Sequence, residues 1–172
     1  MTGTSGSVGA LNEGFMKDSM LEARKGLITT MRKSLFPGFR MYRFANSERP
    51  DLYYTGPWWI NFSPFEALKQ YAKLRGQTLS LAARHCLAID WGWSKVDVLV
   101  EVVIKERLSA WSGTPGTQVL KDDSIRYTGV QWEPDRDITQ VYIPGLYEAA
   151  PNDSDRMIWE CVFDNCKAPT ML

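Results

Sequence analysis

Between Asn12 and Leu35 the apolar residues Phe15, Met16, Met20, Ala23, Leu27, Ile28 and Met31 recur at intervals of three and four. That spacing lines side chains along one face of an α-helix, so an amphipathic N-terminal helix is predicted, with Gly26 as a point where it can split. The helix is expected to stop at LFPGF, because Pro37 lacks a backbone donor and Gly38 relaxes the turn. Residues 39–45, FRMYRFA, alternate and are rich in aromatics, which predicts a first strand. After the polar connection NSERPDLYYTGP, the short run WWIN reads as a second strand that passes directly into a helix. In that helix Ser63 is the expected N-cap, Pro64 suits the first helical position, Glu66 completes a capping box and Gly76 ends it.

The stretch from Leu79 to Ile89 fits a second helix or a strand, with the helix preferred. Residues 95–108, KVDVLVEVVIKERL, place Val96, Val98, Val100 and Val102 on one face and add Leu99 and Val103 on the other, as in a central, largely buried strand. Residues 109–118, SAWSGTPGTQ, read as a turn-rich loop. Residues 125–145 read as two strands folding back on each other around EPDRD, and residues 155–164 as the last strand. This order predicts a single α+β domain over residues 11–172, a mixed or antiparallel split sheet with the N-terminal helix and the other helices packed on it. Residues 1–10, rich in Gly, Ser and Thr, are expected to form a flexible tail.

Composition narrows the function. The 20 Lys+Arg balance the 20 Asp+Glu, so neither nucleic acid nor an anionic membrane is an expected partner. No run of 18 apolar residues and no basic-then-apolar leader occurs, which predicts a cytoplasmic protein or one delivered into the cytoplasm of a target cell. Three cysteines, Cys86, Cys161 and Cys166, with no CxxC pair and one histidine, His85, point away from a metal site and from a disulfide framework. His85 and Cys86 are neighbours in sequence and would point in different directions on a helix, so they do not form a nucleophilic pair. The GTPGT loop lacks the Lys-Ser/Thr ending of a phosphate loop. Seven tryptophans supply large rings suited to a core or to a planar ligand.

Three motifs in order carry a resemblance: Tyr42-Arg43 on the first strand, WWINFS leading into EALKQYA, and the late strand QVYIP. Together they resemble the ADP-ribosyltransferase superfamily, in particular small bacterial toxin or effector and phage-type members, over about residues 39–146. The resemblance implies an NAD-dependent mono-ADP-ribosyltransferase of toxin, effector or phage counter-defence type that acts on a macromolecular acceptor, chiefly a protein, with NAD as substrate and no metal. Arg43, with a forked guanidinium, and Ser63, at a helix start, would hold the dinucleotide, while Trp59, Asn61 and Tyr71 would complete its site. Family members carry a glutamate in the late strand, where this chain has Gln140. Because cleavage of the nicotinamide bond develops positive charge on the ribose, an adjacent carboxylate would stabilise it, and Glu133 is the expected substitute, with Asp135 next. Glu133 and Gln140 are thus the candidate catalytic residues. Two alternatives stand beside transfer: NAD glycohydrolysis on the same scaffold, and a non-catalytic interaction module that has lost its acid.

Overall fold

The N-terminal helix ends at Gly26, nine residues short of the Leu35 to which the predicted segment ran. In the computed structural model, which describes residues 9–89, 94–116, 118–119, 131–132, 138–164 and 167–172, a 3-10 turn at Glu13–Phe15 leads into α1 (Met16–Gly26). Leu27 is already extended, and β1 (Met31–Leu35) follows. Ile28 and Met31, which continued the helical spacing, are exposed and contribute nothing to the core. What selects the strand is its partner β5 (Leu108–Gly113), paired antiparallel from Met31↔Ser112 to Leu35↔Leu108. β5 also replaces the first half of the expected loop at 109–118, its Ser-containing sequence held in place from outside the strand. The buried Asn12 side chain donates to the carbonyls of Ser109 and Pro144 at 2.7 and 3.0 Å and accepts the Ser109 N–H at 2.9 Å.

Strands β2 (Arg40–Ala45) and β3 (Trp58–Asn61) form where alternation placed them. Helix α2 (Phe62–Arg75) starts two residues earlier than expected: Asn61 is its N-cap, so Ser63 is inside the first turn. Glu66 pairs with Lys69 at 2.5 Å. Its C-cap, Gly76, adopts the left-handed conformation at φ 61° that glycine tolerates best. Helix α3 (Leu79–Leu87) is capped by Thr78, whose hydroxyl accepts the Leu81 N–H at 3.2 Å. β4 (Val98–Ile104) is shorter than the predicted strand and alternates strictly between buried and half-buried positions.

The C-terminal third departs further. β6 (Gln118–Val119) pairs with β7 (Gln131–Trp132), while β8 (Gln140–Tyr142) pairs with β3 and β5; among the described residues the two predicted strands of 125–145 do not pair with each other. The EPDRD turn lies outside the described residues. β9 (Ala149–Ala150) and β10 (Asp153–Met157) form a small ladder. The expected last strand is broken by α4 (Ile158–Val162) before β11 (Phe163–Asp164) and β12 (Thr170–Met171) return to β4.

The main sheet is antiparallel, in the order β1-β5-β8-β3-β2-β4-β11, with β12 also on β4. The architecture is α+β, a curled antiparallel sheet with helices. β2 shows how its faces divide. Met41 and Ala45 enter one apolar cluster with Trp59, Val100, Val102 and Leu146, and Tyr42 and Phe44 enter another beneath α2 and α3. There Tyr42 stacks on Phe65 with ring centroids 3.9 Å apart. Among the described residues no helix is long and apolar enough to cross a membrane.

One feature of this sheet shapes the surface. β3 pairs with β2 only through Ile60 and Asn61, and with β8 through Trp58 and Trp59. The strand therefore changes neighbour halfway along, and β2 and β8 diverge around its first half.

Candidate functional site

A cleft of about 460 Å³ opens at this divergence, within the range of small-ligand sites. Arg43 enters it from β2, one residue past the last β2–β3 pair at Tyr42↔Ile60. Its Nη1–H donates to the Trp58 carbonyl at 3.1 Å, an acceptor on the diverging strand. The guanidinium also covers Gly56 so closely that a Cβ there would collide with it. Its Nε is buried and finds no partner among the described residues. Desolvation pulls this guanidinium down to about 10, so it remains a cation at neutral pH, though one held in an unfavourable place.

Aromatic and amide groups face the same space. The indole of Trp58 meets the Tyr142 ring edge-on, with centroids 4.8 Å apart and planes at 79°. Behind it Gly26 ends α1, and a Cβ there would come within 2.5 Å of the Trp58 ring. Gln140 on β8 lines the cleft and is 7% exposed. The end of α3 supplies the apolar Leu87 and Ile89, and Lys25 and Arg49 bring positive charge to the rim. Lys25 pairs with Glu22 at 2.6 Å and Arg49 with Asp51 at 2.8 Å, both in solvent.

Of the residues singled out from sequence, the structure brings Arg43 and Gln140 together. Trp59 belongs to the same stretch of wall, but its ring is not offered to a ligand. The residue is 1% exposed, its indole packs on Phe163 with centroids 5.1 Å apart, and Nε1–H donates to the Gly56 carbonyl at 2.7 Å. Alternation along β3 means that one tryptophan faces each way, and it is Trp58 that faces the cleft. Asn61 and Ser63 are set apart from Arg43: they line a different hollow, of about 360 Å³, with Gly38, Phe39 and Arg40. The chain enters α2 at this point and leaves the cleft behind, and the Lys33 ammonium approaches the Asn61 side-chain oxygen at 3.5 Å. Tyr71 is packed between helices, its ring edge-on to His85 at 6.3 Å and covered by the Arg75 guanidinium at 4.6 Å. His85 has its pKa lowered by burial and then by Arg75, and Cys86 is 1% exposed in the core below α3. Glu133 and Asp135 lie outside the described residues.

Cleft residues missed in the sequence include Tyr142, Lys25 and Glu22. Tyr142 had a signal, since in QVYIP it follows Gln140 at strand spacing after the next. Lys25 and Glu22 had none, because only the packing of α1 beside β3 brings them to the cleft. Burial, followed by the charge of Glu22, raises the Tyr142 phenol above its ordinary value. Glu22 is the carboxylate among the described residues that line the cleft. No protein-family model, no curated protein and no solved structure matches this chain.

Proposed function

We propose that the cleft binds NAD and that the protein is a mono-ADP-ribosyltransferase of toxin, effector or phage type, acting on a macromolecular acceptor. One observation carries the reading. The strand portions of the three motifs, Tyr42-Arg43, the WWIN part of WWINFS-EALKQYA and the QVY of QVYIP, lie on consecutive strands of one sheet, β2, β3 and β8. Residues from all three, Arg43, Trp58 and Gln140, line a single cleft. Their chemistry matches the ligand. A buried guanidinium with an unused N–H suits the pyrophosphate, Trp58 and Tyr142 offer faces and edges to a planar base, and the Gln140 amide can hold a ribose hydroxyl.

In the reaction the bond between the anomeric carbon and nicotinamide breaks, and nicotinamide leaves with the electron pair. The oxocarbenium-like ribose is then captured by a nucleophile of the acceptor, which loses its proton to solvent. Incubation with NAD labelled in the adenylate half separates the outcomes. Label on a partner protein supports transfer, and free nicotinamide without labelled protein assigns the site to NAD hydrolysis.

A second reading is favoured by Gln140 itself, a neutral amide in the cleft where the resemblance calls for an acid. On this reading the chain is a non-catalytic interaction module. Calorimetric titration tests it: absence of heat at millimolar NAD, with Arg43→Ala behaving like the parent, would favour the module.

A further inference from the structure

We propose that the carboxylate facing the reacting ribose comes from helix α1, as Glu22, and not from β8. This rests on the NAD reading above and adds a catalytic residue to it. Glu22 lines the cleft together with Arg43, Trp58 and Gln140. It lies four residues before Gly26, where α1 abuts the Trp58 ring, and Trp58 in turn meets Tyr142. The last turn of the helix is thereby fixed at the aromatic wall. Lys25, three residues on and also lining the cleft, pairs with the Glu22 carboxylate at 2.6 Å. The electrostatic influence of Glu22 on the Tyr142 phenol is consistent with a carboxylate directed at the cleft.

The arrangement divides between two residues what one acid would otherwise do. Gln140, buried on β8, holds a ribose hydroxyl but carries no charge to meet a developing cation. Glu22, on the facing helix, supplies that charge without being consumed. The bond to nicotinamide breaks, the base departs with the electron pair, and the carboxylate stabilises the cationic ribose until the acceptor or water adds and releases its proton.

An exposed pair between residues three apart on a helix contributes little to folding, so Glu22 can be altered without endangering the fold. The experiment measures nicotinamide release from NAD, NAD affinity by calorimetry and the urea midpoint for the parent, Glu22→Gln, Glu22→Asp and Glu133→Gln. Glu22→Gln is expected to lower turnover by about a hundredfold, the scale of losing one electrostatic stabiliser. Its NAD affinity and urea midpoint should match the parent, and Glu22→Asp should recover part of the rate. Parental turnover in Glu22→Gln overturns the assignment and leaves the NAD reading standing, and loss of turnover in Glu133→Gln would then locate the acid. A parent that releases no nicotinamide overturns both.

Discussion

Replacing Arg43 by methionine separates the two duties open to its guanidinium, binding an anion and bridging the fork between β2 and β3. Burial holds the group at about 10 against its ordinary 12.5, a gap that corresponds to roughly 3 kcal/mol of unfavourable burial in the folded protein. The bond from Nη1 to the Trp58 carbonyl at 3.1 Å opposes this, and a charged donor of that kind contributes about 1.5–3 kcal/mol. The two nearly cancel. An unbranched apolar side chain that fills the space over Gly56 should therefore leave the unfolding free energy within about 1 kcal/mol of the parent. Arg43→Ala, which empties that space, should cost about 2 kcal/mol or more. Ligand binding should respond differently: methionine removes every N–H that a pyrophosphate would use, and NAD affinity should fall at least about a hundredfold, or roughly 2.7 kcal/mol. Urea denaturation and calorimetric titration on the same samples give both quantities. A methionine variant destabilised by more than about 3 kcal/mol, yet binding NAD like the parent, would show that the guanidinium is a structural bridge and refute the argument.

Three further substitutions test neighbouring inferences. Gly56→Ala places a methyl group against the Arg43 guanidinium; the arginine should shift, and NAD affinity should fall by about tenfold with a stability loss of about 1–2 kcal/mol. Asn12→Ala removes three buried hydrogen bonds that tie the N-terminus to β5 and Pro144; a loss of about 3 kcal/mol in urea denaturation is expected, because the Ser109 N–H and two carbonyls are left behind. Asp97 accepts from the Ser47 hydroxyl and N–H at 2.5 and 2.8 Å, bonds that hold its carboxyl below the ordinary 3.8. Its contribution is thus fully present above that ordinary value and is lost as pH falls through the lowered one. Asp97→Asn should cost about 1 kcal/mol at neutral pH, with a smaller difference from the parent in acid denaturation.

Local chemistry settled the elements whose signals are self-contained. Strand β2 was legible because its short aromatic-rich run divides at strand period into Met41 and Ala45 on one face and Tyr42 and Phe44 on the other, and α2 because Pro64 and Gly76 mark its first turn and its end with residues that admit few other conformations. The α+β class also came from residue patterns, whereas Arg43 and Gln140 were named as candidates through the motif resemblance.

Other features depended on partners distant in sequence. MRKSL became β1 and LSAWSG became β5 because each satisfies the other's backbone and Asn12 clamps the second; neither carries a strong strand signal. Strand periodicity required Trp58 and Trp59 to face opposite sides, but which one lines the cleft followed from the core that forms around Trp59 and Phe163. Ser63 and Asn61 fell outside the cleft for the same kind of reason, since sequence proximity to Trp58 says nothing about the turn into α2. Glu22 and Lys25 became cleft residues only when α1 settled against Trp58 at Gly26. Propensity and periodicity act over a few residues and so were written in the chain, whereas convergence on one cleft depends on contacts between segments up to a hundred or so residues apart, which only the packed fold decides.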